Sequence, residues 1–256
     1  MKYRGFAGVC LTIIVLATSV FGVDKRQAKI IRIADLPQQE LRVAPRLALS
    51  DSCLISTTDT MVWQIDSWVT GNELYKAYFD PSLGCANPYP FAVTEINMPM
   101  TFAAPTDIYA SVDVETVDLT DPSCPFPGEM LTLSSQYQLA VPSAGIYSIW
   151  IPLDSPVIVN GPFFAGFFIA NSLDLMVYAA VITDNVPALC TSYNIWDTTT
   201  GFVDLCNNEF YSFPGRLLMQ VSGVPGGGSG SEQPEPIVEL ITPHFSDTLL
   251  GNAEIW

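Results

Sequence analysis

Ile108-Tyr109-Ala110-Ser111-Val112-Asp113-Val114-Glu115-Thr116 alternates apolar and polar side chains along most of its length. Successive side chains of a β-strand point to opposite faces of its sheet. One face of this stretch is therefore Ile108, Ala110, Val112 and Val114, and the other is Tyr109, Ser111, Asp113 and Glu115. That pattern predicts a half-buried antiparallel strand with a wet outer face. Residues 216–222 repeat it, with Leu217, Met219 and Val221 inward and Arg216, Gln220 and Ser222 outward.

Working outward, residues 91–102, 130–139, 146–153, 193–197 and 202–205 read as further short strands, rich in Val, Ile, Tyr, Phe and Thr. Turn-forming clusters separate them, among them Asp80-Pro81-Ser82-Leu83-Gly84 and Asn160-Gly161-Pro162. Two runs, 163–170 and 175–182, are apolar throughout, with Asn171, Ser172 and Asp174 between them. Each is far shorter than the roughly 20 residues of a membrane-spanning helix. They predict a hairpin of two central strands covered on both faces. No helical period persists for three turns between residues 52 and 222. The expected fold is all-β: a two-sheet antiparallel β-sandwich of the jelly-roll kind.

Around this body the chain divides further. Lys2 and Arg4 precede the uncharged stretch 6–23, and Val20 and Gly22 stand at the −3 and −1 positions of a cleavage site. Residues 1–22 thus have the grammar of a secretory signal peptide, which would remove Cys10. An uncleaved anchor is the alternative, diluted by Thr12, Thr18 and Ser19. Residues 23–50 form a basic arm, because eight of the ten Lys and Arg precede residue 47. Beyond it only Lys76 and Arg216 face 23 acidic residues. The arm reads as a flexible spacer, with docking onto the acidic body as the other reading. The sandwich is assigned to 51–223 and a Gly/Ser/Pro linker to 224–236. Residues 237–256 look like the truncated start of a second β module, too short to bury a core alone.

Hydrophobic residues make up 49% of the 256 and charged residues 14%, which suits a filled core and excludes general disorder. A net charge of −16 repels phosphate backbones, so no nucleic-acid partner is expected. Catalytic signatures are missing: no CxxC pair, no GxSxG elbow, no phosphate loop, and one histidine, His244, beyond the linker. Eighteen carboxylates in the sandwich leave a glycosidase-like pair open. The expectation is nevertheless a protein that is not an enzyme and carries no cofactor.

Three sets of residues are candidates for binding or bonding. Asp113, Glu115, Asp118 and Asp121 are the densest oxygen-ligand cluster, suited to calcium if they converge. Tyr109, Tyr147, Tyr193 and Trp196 are candidate platforms for stacking sugar rings, with core packing as the competing role. In an exported chain cysteines pair. Cys190 and Cys206 bracket a predicted hairpin and are expected to bond, as are the loop residues Cys85 and Cys124, leaving Cys53; Cys53 with Cys85 is the alternative.

The succession Tyr78-Phe79-Asp80-Pro81, Cys85, Pro88-Tyr89-Pro90-Phe91, Pro127-Gly128-Glu129 and Asn160-Gly161-Pro162-Phe163-Phe164 resembles uncharacterised jelly-roll modules of secreted or surface bacterial proteins. Residues 237–256 resemble the start of an immunoglobulin-like repeat. The resemblance implies a secreted or cell-surface module with a structural or adhesive role, no membrane span in the mature domain, and an extracellular glycan or surface protein as partner. Alternatives are a carbohydrate-binding accessory module, or part of a secreted hydrolase whose catalytic region is absent. It transfers no catalytic residue.

Overall fold

A computed structural model describes residues 29–32, 52–174, 177, 179–196, 201–206, 213–227 and 236–240. The expected signal segment 1–22, most of the arm and linker, His244 and most of 237–256 lie outside the described residues. The strands are β1 (Lys29–Arg32), β2 (Cys53–Ser56), β3 (Trp63–Val69), β4 (Gly71–Phe79), β5 (Phe91–Asn97), β6 (Met100–Phe102), β7 (Thr106–Asp118) and β8 (Phe126–Leu133). They continue with β9 (Tyr137–Val141), β10 (Gly145–Val159), β11 (Phe163–Ser172), β12 (Ala179–Thr183), β13 (Ser192–Ile195), β14 (Val203–Asp204), β15 (Gln220–Pro225) and β16 (Ile237–Leu240).

These strands form two sheets, antiparallel at each pairing. The first runs β1-β3-β12-β6-β10-β5-β15-β2, with β16 on β10; the second runs β14-β13-β4-β11-β7-β8, with β9 on β7. Among the described residues there is no α-helix, and no helix long and apolar enough to cross a membrane. The inward residues of β7 behave as their alternation predicts: Ile108, Ala110, Val112 and Val114 are all buried in the core between the sheets. Around them pack Phe163, stacked 5.8 Å from Phe79, and Trp68, edge-on to Phe213 at 4.7 Å.

The outward face of β7 differs from expectation. Ser111, Asp113 and Glu115 are buried, and Tyr109 alone of the four named outward residues is exposed. Side chains of Phe126, Tyr193 and Phe202 pack against one another over part of this face, while β13 and β14 themselves continue the same sheet.

The predicted hairpin of residues 163–170 and 175–182 is also corrected. Phe163–Ser172 lies between β4 and β7 in the second sheet, while Ala179–Thr183 lies between β3 and β6 in the first. The chain crosses between sheets after Ser172. Both segments are interior strands, which is why both lack alternation. The backbone of Lys29–Arg32 pairs with β3, from Lys29↔Asp66 to Arg32↔Trp63. Ile237–Leu240, read from the sequence as the opening of another module, pairs with β10 from Tyr147↔Leu240 to Trp150↔Ile237.

The disulfides are Cys53–Cys85 and Cys124–Cys190, with Cα–Cα separations of 6.0 and 5.1 Å. Cys190–Cys206 and Cys85–Cys124 are therefore corrected, and the alternative Cys53–Cys85 is the bond that forms. The expected hairpin does exist, with Tyr193↔Asp204 and Asn194↔Val203 in register. Its cysteines do not meet because Cys190 bends away with φ +60° toward the β7–β8 connection, where Cys124 arrives. Cys206 is a free, half-buried thiol that donates to the Gly215 carbonyl. In the loop-entropy model, closures of 32 and 66 residues contribute about 4 kcal/mol each. Labelling of the unfolded, unreduced protein with a thiol reagent should mark Cys206 and none of Cys53, Cys85, Cys124 or Cys190. Label on Cys190 would contradict this pairing.

Candidate functional site

The outward face of the second sheet holds a buried ionic cluster. On β4, Tyr75, Ala77 and Phe79 point into the core, so period two sends Lys76 and Tyr78 outward. The strand between β4 and β7 places Gly166 opposite both Lys76 and Asp113. A Cβ at Gly166 would stand 2.3 Å from Asp113 Oδ1, so only glycine lets side chains from the flanking strands meet across β11. Lys76 Nζ donates to Asp113 Oδ1 at 2.6 Å and reaches Glu115 Oε1 at 2.5 Å. The lysine side chain is 0% exposed, Asp113 3% and Glu115 10%. Burial raises the pKa of both carboxyls, and the Lys76 ammonium offsets it only in part.

A small aromatic roof closes over this cluster. Phe126 meets Tyr193 edge-on at 5.1 Å and Phe202 at 5.8 Å, and Tyr193 also packs on Phe164 at 5.7 Å. Lys76 Nζ lies 5.9 Å from the Phe202 ring centroid, a cation–π distance. The Tyr193 hydroxyl donates to the Pro125 carbonyl at 2.7 Å, and Cys124–Cys190 pins the roof beside it. Burial, with the nearby Asp204 charge, pushes the Tyr193 pKa up to about 12.

The calcium candidates do not converge. Asp113 and Glu115 hold Lys76, whereas Asp118, the last residue of β7, and Asp121, in the bend beyond it, are exposed. Each accepts the hydroxyl and amide of a residue two positions on, Thr120 and Ser123, which lowers its pKa. Among the described residues Cys124, Cys190 and Asp204 have ligand atoms within 4.8 Å of one another, but the two sulfurs are bonded together.

The aromatic candidates are scattered as well. Tyr109 is 37% exposed on the second sheet. Tyr147 is buried in the core, its hydroxyl bonded to Ser143. Tyr193 belongs to the roof, and Trp196 packs edge-on to Trp68 at 5.9 Å. They form no shared stacking surface.

A cleft of about 480 Å³, which sequence reasoning missed, opens on the flank where the two sheets part. Leu54, Ser56 and Thr57 line one wall, Tyr78, Asp80 and Leu83 another, with Arg216 nearby. Cys53–Cys85 ties the two walls together. Arg216 is held by the fully buried Asp184: Nε and Nη2 reach Oδ2 at 2.9 and 2.7 Å, while Oδ1 accepts the Arg216 and Val186 amides. Gly215 is required here, since a Cβ would stand 1.9 Å from the Asp184 carbonyl oxygen. Burial raises the Asp80 carboxyl, but hydrogen bonds from Ser82 and Tyr89 outweigh it and leave the pKa below its usual value. The one sequence hint was that Arg216 and Lys76 are the only cations beyond residue 46.

A family model described as a domain of unknown function, DUF7451, matches residues 51–223. No curated protein matches the chain. Among solved structures, the crystal structure of the cysteine protease and lectin-like domains of Cwp84, a surface layer associated protein of Clostridium difficile, is similar with a TM-score of 0.50 and 14% identity. The match covers 70% of this chain and 37% of that one, so the chain spans little more than a third of its length. At that identity the likeness is one of fold.

Tyr193 supplies a pH test. Its native pKa of about 12 lies above the ordinary value of 10.0, so the native chain binds the phenolic proton more tightly than the unfolded one. The resulting stability is complete below pH 10.0 and is lost as pH rises toward about 12. Tyr193→Phe should flatten that alkaline decline in denaturant titrations and cost about 1 kcal/mol at neutral pH. An unchanged decline between wild type and variant would contradict it.

Proposed function

The chain belongs to the DUF7451 family, whose model covers residues 51–223, and we propose that it is an extracellular, non-catalytic β-sandwich module of a larger surface or secreted protein, serving structure or adhesion. The observation that carries the reading is the pair of disulfides, Cys53–Cys85 and Cys124–Cys190, which suit an oxidising compartment. The fold shared with part of a surface layer associated protein agrees with it. We read the winding as a jelly roll, because β3-β12-β6-β10 in one sheet interleaves in chain order with β4-β11-β7-β8 in the other.

The non-catalytic part rests on the two polar centres. Lys76 is fully buried against Asp113 and Glu115, and Arg216, 34% exposed, is held by the buried Asp184. Both cations are thus engaged by acidic side chains rather than presented to a ligand. Among the described residues Asp80 is the one carboxylate lining the flank cleft, and a glycosidase-like pair needs two. The second reading, a carbohydrate-binding accessory module, is favoured by that cleft alone. Its hydroxyls, Arg216 and the apolar Leu54 and Leu83 match the mixed surface of a sugar.

Fractionation of the native host tests the location. The protein should be recovered outside the cytoplasmic membrane, with both disulfides formed; a reduced cytoplasmic pool would contradict the proposal. A glycan array separates the two readings. Binding that is abolished by Arg216→Ala would move the assignment to the carbohydrate-binding one.

A further inference from the structure

We propose that Lys76 and Asp113 become joined by an intramolecular isopeptide bond, with Glu115 as the proton carrier. The inference rests on the cluster beneath the aromatic roof and is independent of the role proposed for the module. The nucleophile and its carboxyl partner are already in contact, with Nζ 2.6 Å from Asp113 Oδ1 and Glu115 Oε1 within 2.5 Å of the same nitrogen. Strands β4, β11 and β7 fix both backbones, and Gly166 leaves the space in which the side chains meet. Such placement removes the entropic cost that makes condensation slow between free groups.

The step balances without any co-reactant. Proton transfer along the Lys76–Asp113 contact turns the ammonium and carboxylate into an amine and a carboxylic acid. The nitrogen lone pair then forms a bond to Asp113 Cγ. Glu115 takes one proton from the nitrogen and delivers it to the departing hydroxyl, so that the Cγ–O bond breaks and one water leaves. An amide remains, and Glu115 ends in the state in which it began.

The surroundings favour product over reactants. Ion pairs are costly to hold away from water, and condensation replaces an ammonium and a carboxylate with one neutral amide. Burial already favours the uncharged acid form of Asp113. Asp113 is assigned as the acyl partner because it is the deeper carboxyl, at 3% side-chain exposure and resting over Gly166. Glu115, at 10%, lies nearer the rim, where protons and the released water can exchange. The bond would staple β4 to β7 across β11, close to Cys124–Cys190 but proof against reductants.

Peptide mass spectrometry on the folded, full-length chain, digested after disulfide reduction, decides the matter. Chymotrypsin cuts at the aromatic residues between the two positions. Its expected product is a branched peptide that joins the Lys76 and Asp113 segments and is lighter by one water than their sum; in a separate digest trypsin should leave Lys76 uncut. In the soluble, disulfide-paired fraction of Glu115→Gln, the two segments should separate. Separate peptides from the wild-type chain would mean an ion cluster only and overturn the proposal. A branched peptide from Glu115→Gln would overturn the part assigned to Glu115.

Discussion

A lysine with no access to water is tolerated only where its counter-charges are brought to it and its remaining surface is covered. Lys76 imposes that condition on the outer face of the second sheet. Asp113 and Glu115 must come from β7, yet β11 lies between, so the intervening residue has to be Gly166. The cluster then needs a lid, which Phe126, Tyr193 and Phe202 supply, and the lid needs an anchor, which is Cys124–Cys190. One buried charge thus connects a glycine, three aromatics and a disulfide that lie far apart in sequence. The sandwich is in effect three-layered at this point, with a second small core outside the sheet.

Arg216 repeats the logic on the flank. Its buried partner Asp184 also gathers two backbone amides, so the segment that carries Arg216 is tied to the end of β12. Both cations of the body are engaged in holding neighbouring segments together. Asp59, Asp107, Asp118, Asp121, Glu129, Asp154 and Asp174 are exposed and concentrate negative charge on the surface, whereas Glu73 and Glu95 are buried. That distribution suits a module that stays soluble and keeps its shape through covalent and ionic ties, and it leaves the flank cleft as a preformed concavity.

The alternation of 108–116 was enough to read the inward face of β7, because burial between two sheets follows the period of the strand. The outward face was not legible, since polar spacing looks the same whether water or another segment covers it. Lys76 inside an otherwise apolar run and Gly166 between Ala165 and Phe167 were the available signals, and both point to close approach rather than to a wet surface. Residues 163–170 and 175–182 showed that they were interior strands but not that they belong to different sheets, because proximity in sequence does not settle sheet membership. The cysteines failed for a related reason: hairpin geometry placed Cys190 near Cys206, while the path of the distant β7–β8 connection decided the bond. Tyr147 and Tyr193 were misjudged as surface candidates because an aromatic ring with a bonded hydroxyl is as well suited to a core as to a sugar.

The dryness of the Lys76 pocket is open to direct chemical footprinting with an amine-acylating reagent under native, oxidising conditions. The account predicts that Lys76 stays unmodified in the native, disulfide-bonded protein, whether its nitrogen is ion-paired or has condensed with Asp113. Acylation of Lys76 in the intact, disulfide-bonded protein would place that side chain in water and contradict the account at its centre.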